Sequence, residues 1–180
     1  MNILTFKRLN PDVEIPSYGT SMSTCFDLTF CPSGFIVSGY DINNVQVVRN
    51  LNHSNRSVAI YPGDRLLLPT GLIMKIEPSQ YGSSAPPLYT YSIRLHARSG
   101  LSLKRGLVLA NSEGVVDVDY QKEIFVVMTN ISSVVQMIEF KERIAQAEIV
   151  NNIPFRLHET SADIEPYSER DGGFGSTGRI

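Results

Sequence analysis

Short apolar runs recur along the chain between clusters of Gly, Pro, Asn and Ser: SVAIY (57–61), RLLLP (65–69), GLIMKI (71–76), LYTYSIRL (88–95), GLVLA (106–110), EIFVVMTN (123–130), VVQMIEF (134–140) and RIAQAEIV (143–150). They are rich in β-branched and aromatic residues and have the length of strands. A 3.6-residue apolar period is hard to find over any window of about 11 residues. Only LSLKRG (101–106) has the composition for a turn or two of helix. The pattern predicts an all-β sandwich or barrel. Tyr61-Pro62-Gly63-Asp64 and Leu68-Pro69-Thr70-Gly71 mark tight corners, because Pro presets φ and Gly tolerates φ > 0.

Two stretches break this rhythm. Residues 34–57 are polar and Asn-rich, with Val45 to Val48 as the one strand-like run, and are expected to form a surface hairpin elaborating the core. After Pro166 the chain reads YSERDGGFGSTGRI, which has no core pattern and would ordinarily be a frayed terminus. Phe174 among the glycines leaves a functional alternative open. A core over 1–166 and a Gly-rich tail over 167–180 are the expected divisions.

At 180 residues and 42% hydrophobic composition the chain can bury one core. Its 16 basic and 18 acidic residues give a net charge of −2, which offers no basic footprint for a nucleic acid polymer. Cys25 and Cys31 lack nearby ligands for zinc and are expected to be reduced. No apolar run reaches the length of a membrane span, and MNILTFKRLN lacks a signal-peptide pattern, so a cytoplasmic protein is expected.

Asp117 and Asp119 in GVVDVDYQKE would share a face if the strand continued through both, and either could serve as a general base; exposed turn aspartates have the same composition. Arg98-Ser99-Gly100 offers a guanidinium, a hydroxyl and a permissive glycine, a set suited to phosphate oxygens. There is no GxxxxGK[ST] loop and no GxSxG elbow. His53, His96 and His158 have no metal-ligand spacing. Metal-assisted chemistry on a phosphate remains.

In order, TCFDL (24–28), ARSG (97–100), NSEGVVDVDY (111–120), ERIAQ (142–146) and GGFGSTG (172–178) resemble the trimeric dUTPase family, deoxyuridine 5'-triphosphate nucleotidohydrolases. PGDRLLLPTGL (62–72) resembles the strand pair between that family's first two motifs. The resemblance implies a distorted jelly-roll subunit, a homotrimer with shared active sites, and a C-terminal tail closing over the nucleotide. It implies hydrolysis of dUTP to dUMP and pyrophosphate by water attacking the α-phosphate. Asp117 would activate that water; Tyr120 would pack on the deoxyribose and reject a 2′-hydroxyl; Asn111, with the backbone around Gly114 and Val116, would read uracil. Arg98, Ser99, Gly100 and Gln146 would hold phosphates, joined by Gly175, Ser176 and Thr177 of the tail, with Phe174 stacked on the base. Asp27 would act through water on Mg²⁺ held mainly by the triphosphate.

Departures from the family pattern are visible. Thr24 and Cys25 replace a small Ala-Gly pair before Asp27. Glu169 occupies the usual arginine position of the last motif, and Arg170 follows it, so a phosphate contact by Arg170 requires a shift in register. Residues 34–57 and 78–91 exceed the family's minimum, as in a phage or viral member, which would act in the host cytoplasm. Such insertions could engage a regulatory protein partner. A related fold, dCTP deaminase, needs a catalytic glutamate on the strand after the aspartate motif, where ten residues past Asp117 this chain has Val127.

Overall fold

A computed structural model describes residues 3–77, 91–153 and 155–165. In chain order the elements are β1 (Ile3–Arg8), β2 (Phe26–Thr29), β3 (Ile36–Tyr40), β4 (Gln46–Asn50), β5 (Val58–Ile60), β6 (Arg65–Pro69), β7 (Leu72–Glu77), β8 (Tyr91–His96), α1 (Ser99–Arg105), β9 (Leu107–Leu109), β10 (Gly114–Asp117), β11 (Phe125–Asn130), β12 (Gln136–Ile138) and β13 (Arg143–Asn151). Each apolar run singled out above contains a described strand, and residues 101–105 of LSLKRG lie in the one described helix. A four-stranded sheet runs β10-β8-β13-β2 and a five-stranded sheet β4-β3-β6-β11-β9, with β1-β7 and β12-β5 as two-stranded sheets. All described ladders are antiparallel.

Alternation does the sorting. In β11, Val126, Met128 and Asn130 are buried while the residues between them are half-buried. In β8, Ile93 and Leu95 turn to the core, joining Leu28, Leu66, Leu68, Ile144 and Ala147 in one cluster. Gly63 (φ +77°) and Gly71 (φ +70°) sit at the two corners that the turn motifs mark. Cys25 and Cys31 are free thiols, the latter buried.

Residues 34–57 form the expected hairpin, and it is joined to the core sheet rather than lying on the surface alone. They form a β3–β4 hairpin whose first strand pairs with β6, extending the five-stranded sheet. The strand-like run is Gln46–Asn50 rather than 45–48, and Ile36–Tyr40 is an unforeseen partner. Gly39 permits this docking: a Cβ there would stand 2.1 Å from the Arg65 carbonyl oxygen. Arg49 clamps the buried Asp64 carboxylate through Nε at 3.0 Å and Nη2 at 2.8 Å, tying β4 to the Tyr61–Asp64 corner. The hairpin is therefore continuous with the core.

Candidate active site

The segment after β9 turns at Ser112, whose φ of +60° is left-handed, and returns as β10 against β8. The close approach needs Gly114, because a Cβ there would lie 2.9 Å from Leu95 Cβ. Asn111, Gly114, Val116, Asp117 and Tyr120 then line one hollow of about 400 Å³, floored by Leu67, Leu95 and Phe125. Tyr120 is held by its hydroxyl, which donates to the Glu123 carbonyl oxygen at 2.9 Å, and by its N–H, which donates to the Asp117 carbonyl oxygen at 3.1 Å. Glu123 in turn accepts the Gly71 N–H at 2.8 Å. Burial pushes the Glu123 carboxyl above its ordinary value, and the Gly71 hydrogen bond works in the opposite direction.

The aspartate pair does not share a strand face. β10 ends at Asp117, and Asp119 falls in the turn closed by the Tyr120 N–H. Both nevertheless border a second shallow hollow with Tyr120, Gln121 and Lys122, through turn geometry rather than strand alternation.

A separate polar cluster forms where β8 leaves the sheet. Arg98 Nε meets Asp27 Oδ1 at 2.9 Å and Arg143 Nη1 meets Asp27 Oδ2 at 3.1 Å. Gln146 stands opposite Asp27 in the ladder and donates to the Ala97 carbonyl oxygen at 3.3 Å. Ser99 and Gly100 begin α1 and are exposed, and nothing lies within 4 Å of where a Gly100 Cβ would be. The Asp27 side chain is 30% exposed, and although each oxygen is paired with a guanidinium, its remaining lone pairs can accept a hydrogen bond from a water of a hydrated cation, which fits a magnesium ion carried in by its ligand. Among the described residues no group of three His, Cys, Asp or Glu side chains gathers in metal-binding geometry.

Arg143 belongs to this cluster although sequence pattern alone did not single it out. It lies three residues before Gln146, so on a regular strand the two would face opposite ways. A bulge between Arg143 and Ala145 resets the register, placing Arg143 opposite Thr29 and Gln146 opposite Asp27, on one face. The apolar floor of the first hollow was also missed, because its residues are scattered over three strands.

The two clusters occupy opposite edges of the four-stranded sheet: Asp117 on β10, Asp27 on β2. Asp117 is level with Ser92, and Asp27, through Gln146, with His96. Four residues at about 3.3 Å and three strand spacings of about 4.8 Å put roughly 20 Å between them. Arg170, Phe174, Gly175, Ser176 and Thr177 lie outside the described residues.

A family model described as dUTPase matches residues 53–178. The deoxyuridine 5'-triphosphate nucleotidohydrolase of Nautilia profundicola is 32% identical, covering 98% of this chain and 99% of the relative. That of a Hydrogenobaculum species is 33% identical over 97% of each chain. Among solved structures, the dUTPase of Staphylococcus bacteriophage 80alpha aligns with a TM-score of 0.70 at 20% identity, covering 99% of this chain and 100% of that one. The dUTPase of Streptococcus mutans aligns with a TM-score of 0.55 at 24% identity, over 84% and 98%. At these identities the structural likeness speaks to the fold.

Proposed function

The chain belongs to the dUTPase family, and from that premise we propose that it hydrolyses dUTP to dUMP and pyrophosphate at sites assembled between copies of the chain. The observation that carries this proposal is the hollow gathering Asn111, Gly114, Val116, Asp117 and Tyr120: a slot with a carboxylate at its rim and a tyrosine held in place beside it. Asn111 and the β10 backbone bind the uracil edge, and Tyr120 packs where a ribose 2′-hydroxyl would clash. Asp117 accepts a proton from the water that attacks the α-phosphate.

Arg98, Ser99, Gly100 and Gln146 bind and orient the phosphates, and Asp27 accepts hydrogen bonds from waters on the metal. When bound, Mg²⁺ supplies charge neutralisation and Lewis-acid polarisation of the phosphates. The tail residues Phe174, Gly175, Ser176 and Thr177, with Arg170, close over base and phosphates.

The separation of the two clusters supports a site shared between copies of the chain, and membership of the family supports a homotrimer. In-line attack needs reacting atoms about 3 Å apart, whereas Asp117 and Asp27 of one chain stand roughly 20 Å apart, so one α-phosphate cannot lie beside both. Neighbouring copies can supply one cluster each. Ile153, Phe155 and Leu157 add support: every second residue is a large apolar side chain, and they are 78%, 81% and 94% exposed in the single chain. The exposed Ile36, Tyr40, Ile42 and Val48 of the β3–β4 hairpin favour a second role, the binding of a protein partner in addition to catalysis.

Pyrophosphate release from dUTP, dCTP, dTTP, dATP and dGTP, with and without Mg²⁺, tests the function. Release from dUTP alone, dependent on the metal, is expected. Ammonia from dCTP, or no pyrophosphate from dUTP, would overturn it.

A further inference from the structure

At the β9–β10 tip, Asn111, Ser112 and Glu113 are all exposed, so apolar burial does not hold the tip in shape. Its backbone is nonetheless closely specified. Ser112 keeps a left-handed φ of +60°, a conformation that a residue with a side chain holds only where its surroundings impose it. The Glu113 N–H donates to the Asn111 carbonyl oxygen at 2.6 Å, so the place of Glu113 fixes the peptide that follows Asn111.

Glu113 is seated from the neighbouring strand. With Ile93 and Leu95 in the core, β8 turns Ser92, Arg94 and His96 to its other face. Arg94 Nη1 meets Glu113 Oε2 at 3.0 Å, and His96 Nδ1 lies 3.8 Å from Glu113 Oε1. Both partners are themselves held. Arg94 Nε donates to Ser92 Oγ at 3.0 Å and its Nη2 to Asn152 Oδ1 at 3.2 Å, while Asn152 Nδ2 donates to the same Ser92 oxygen at 2.9 Å. His96 Nε2 stands 3.0 Å from Glu148 Oε1 on β13. A guanidinium spending its planar fork on several acceptors is a rigid point, unlike a long side chain free in solvent. Among the described residues, Glu113 is the tip side chain that is hydrogen-bonded to it.

We propose that Glu113 is a positioning residue for base recognition: seated on Arg94, it holds Asn111 and the Gly114 backbone in the spacing that the uracil edge requires before the nucleotide arrives. The proposal rests on the reading that Asn111 and the β10 backbone bind uracil, and it names what keeps them ready. Glu113 itself does not touch the nucleotide. A tip already in its bound shape loses little freedom on binding, which adds to affinity. Without the carboxylate, the tip stays attached through β10 but samples other shapes, and only the fraction in the reading shape binds. Asp117 lies at the far end of β10, so the chemical step of the bound complex is spared.

The test compares the full-length wild type with Glu113→Ala and Glu113→Gln. It uses calorimetry with the non-hydrolysable α,β-imido analogue of dUTP and Mg²⁺, steady-state kinetics with dUTP, and amide hydrogen exchange across residues 107–117, with melting temperatures recorded alongside. Glu113→Ala should weaken the analogue about fivefold, the scale of one charge-assisted hydrogen bond at a partly exposed site, and raise KM for dUTP to match while kcat stays within twofold of wild type. Exchange at the tip of the free protein should quicken, and the melting temperature should hardly move, because the Glu113 side chain is 45% exposed. Glu113→Gln should recover part of the loss, since its amide oxygen still accepts from Arg94 without the charge. Analogue affinity within twofold of wild type in the alanine variant, or unchanged exchange at the tip, would overturn the proposal. A fall in kcat as large as the rise in KM would overturn it too, because it marks damage beyond the reading of the base. Wild-type protein that does not bind the analogue at all would instead overturn the uracil site on which the proposal depends.

Discussion

At the scale of single residues, Asp117 and Glu123 serve the same hollow by different means. Asp117 ends β10 at the rim, exposed, where its carboxylate can face a bound water. Asp117→Asn should lower kcat by about 10²- to 10⁴-fold while the imido analogue still binds, since the amide keeps the shape but accepts no proton; turnover near wild type would remove Asp117 from the chemistry. Glu123 never meets substrate in the proposed arrangement, but its backbone carbonyl positions Tyr120. Burial raises its folded pKa above the ordinary 4.5. The fold therefore favours the protonated form, and the stability this group contributes is fully present below about 4.5 and lost as pH rises through the folded value. Glu123→Gln keeps an acceptor for the Gly71 N–H without the charge. Its Tm should exceed that of the wild type at pH 7, and the gap should close near pH 4. A variant less stable at pH 7 would mean that the hydrogen bond to the ionised oxygen outweighs its burial.

At the scale of elements, the β3–β4 hairpin shows how a polar, Asn-rich stretch becomes part of a sheet. Its inward strand contacts are few, Gly39 and Val37 chief among them, and Arg49 supplies the anchor by reaching the carboxylate of Asp64, whose side chain is 2% exposed. Removing one partner of a buried pair leaves an uncompensated charge. Arg49→Ala should therefore cost about 3 kcal/mol in denaturant unfolding, with KM for dUTP unchanged because the pair lies outside the proposed site. A loss within the range of ordinary surface substitutions, about 0.5 kcal/mol, would show the hairpin to be loosely attached after all.

At the scale of the whole molecule, the proposed site, divided between two separated polar clusters, would make association a condition of catalysis. Cutting the chain after Pro166 removes the proposed lid but no described core residue. The shortened protein should therefore remain a trimer, at three times its own smaller chain mass, and keep its melting behaviour, while kcat/KM for dUTP falls by orders of magnitude. Light scattering and steady-state kinetics on the same sample check both halves. Full kcat/KM after truncation would make the Gly-rich tail a frayed end, and an active 20.0 kDa monomer would remove the shared site.

The order of apolar and turn residues was enough to determine an all-β fold, its two sharp corners at Gly63 and Gly71 and the one short helix among the described residues, because strand alternation and positive φ are local properties that each segment carries by itself. The motif residues Asp27, Arg98, Asp117, Tyr120 and Gln146 could be named from the family resemblance, but not their division between two clusters. What remained for the tertiary structure was everything that depends on which strands become neighbours. The pairing β10-β8-β13-β2 sends Asp117 to one edge and Asp27 to the other, a distance no spacing along the chain encodes. The turn after β10 breaks the alternation assumed for Asp117 and Asp119. The bulge in β13 brings Arg143 to Asp27 against the parity of its position, since a single extra residue reverses every facing that follows it.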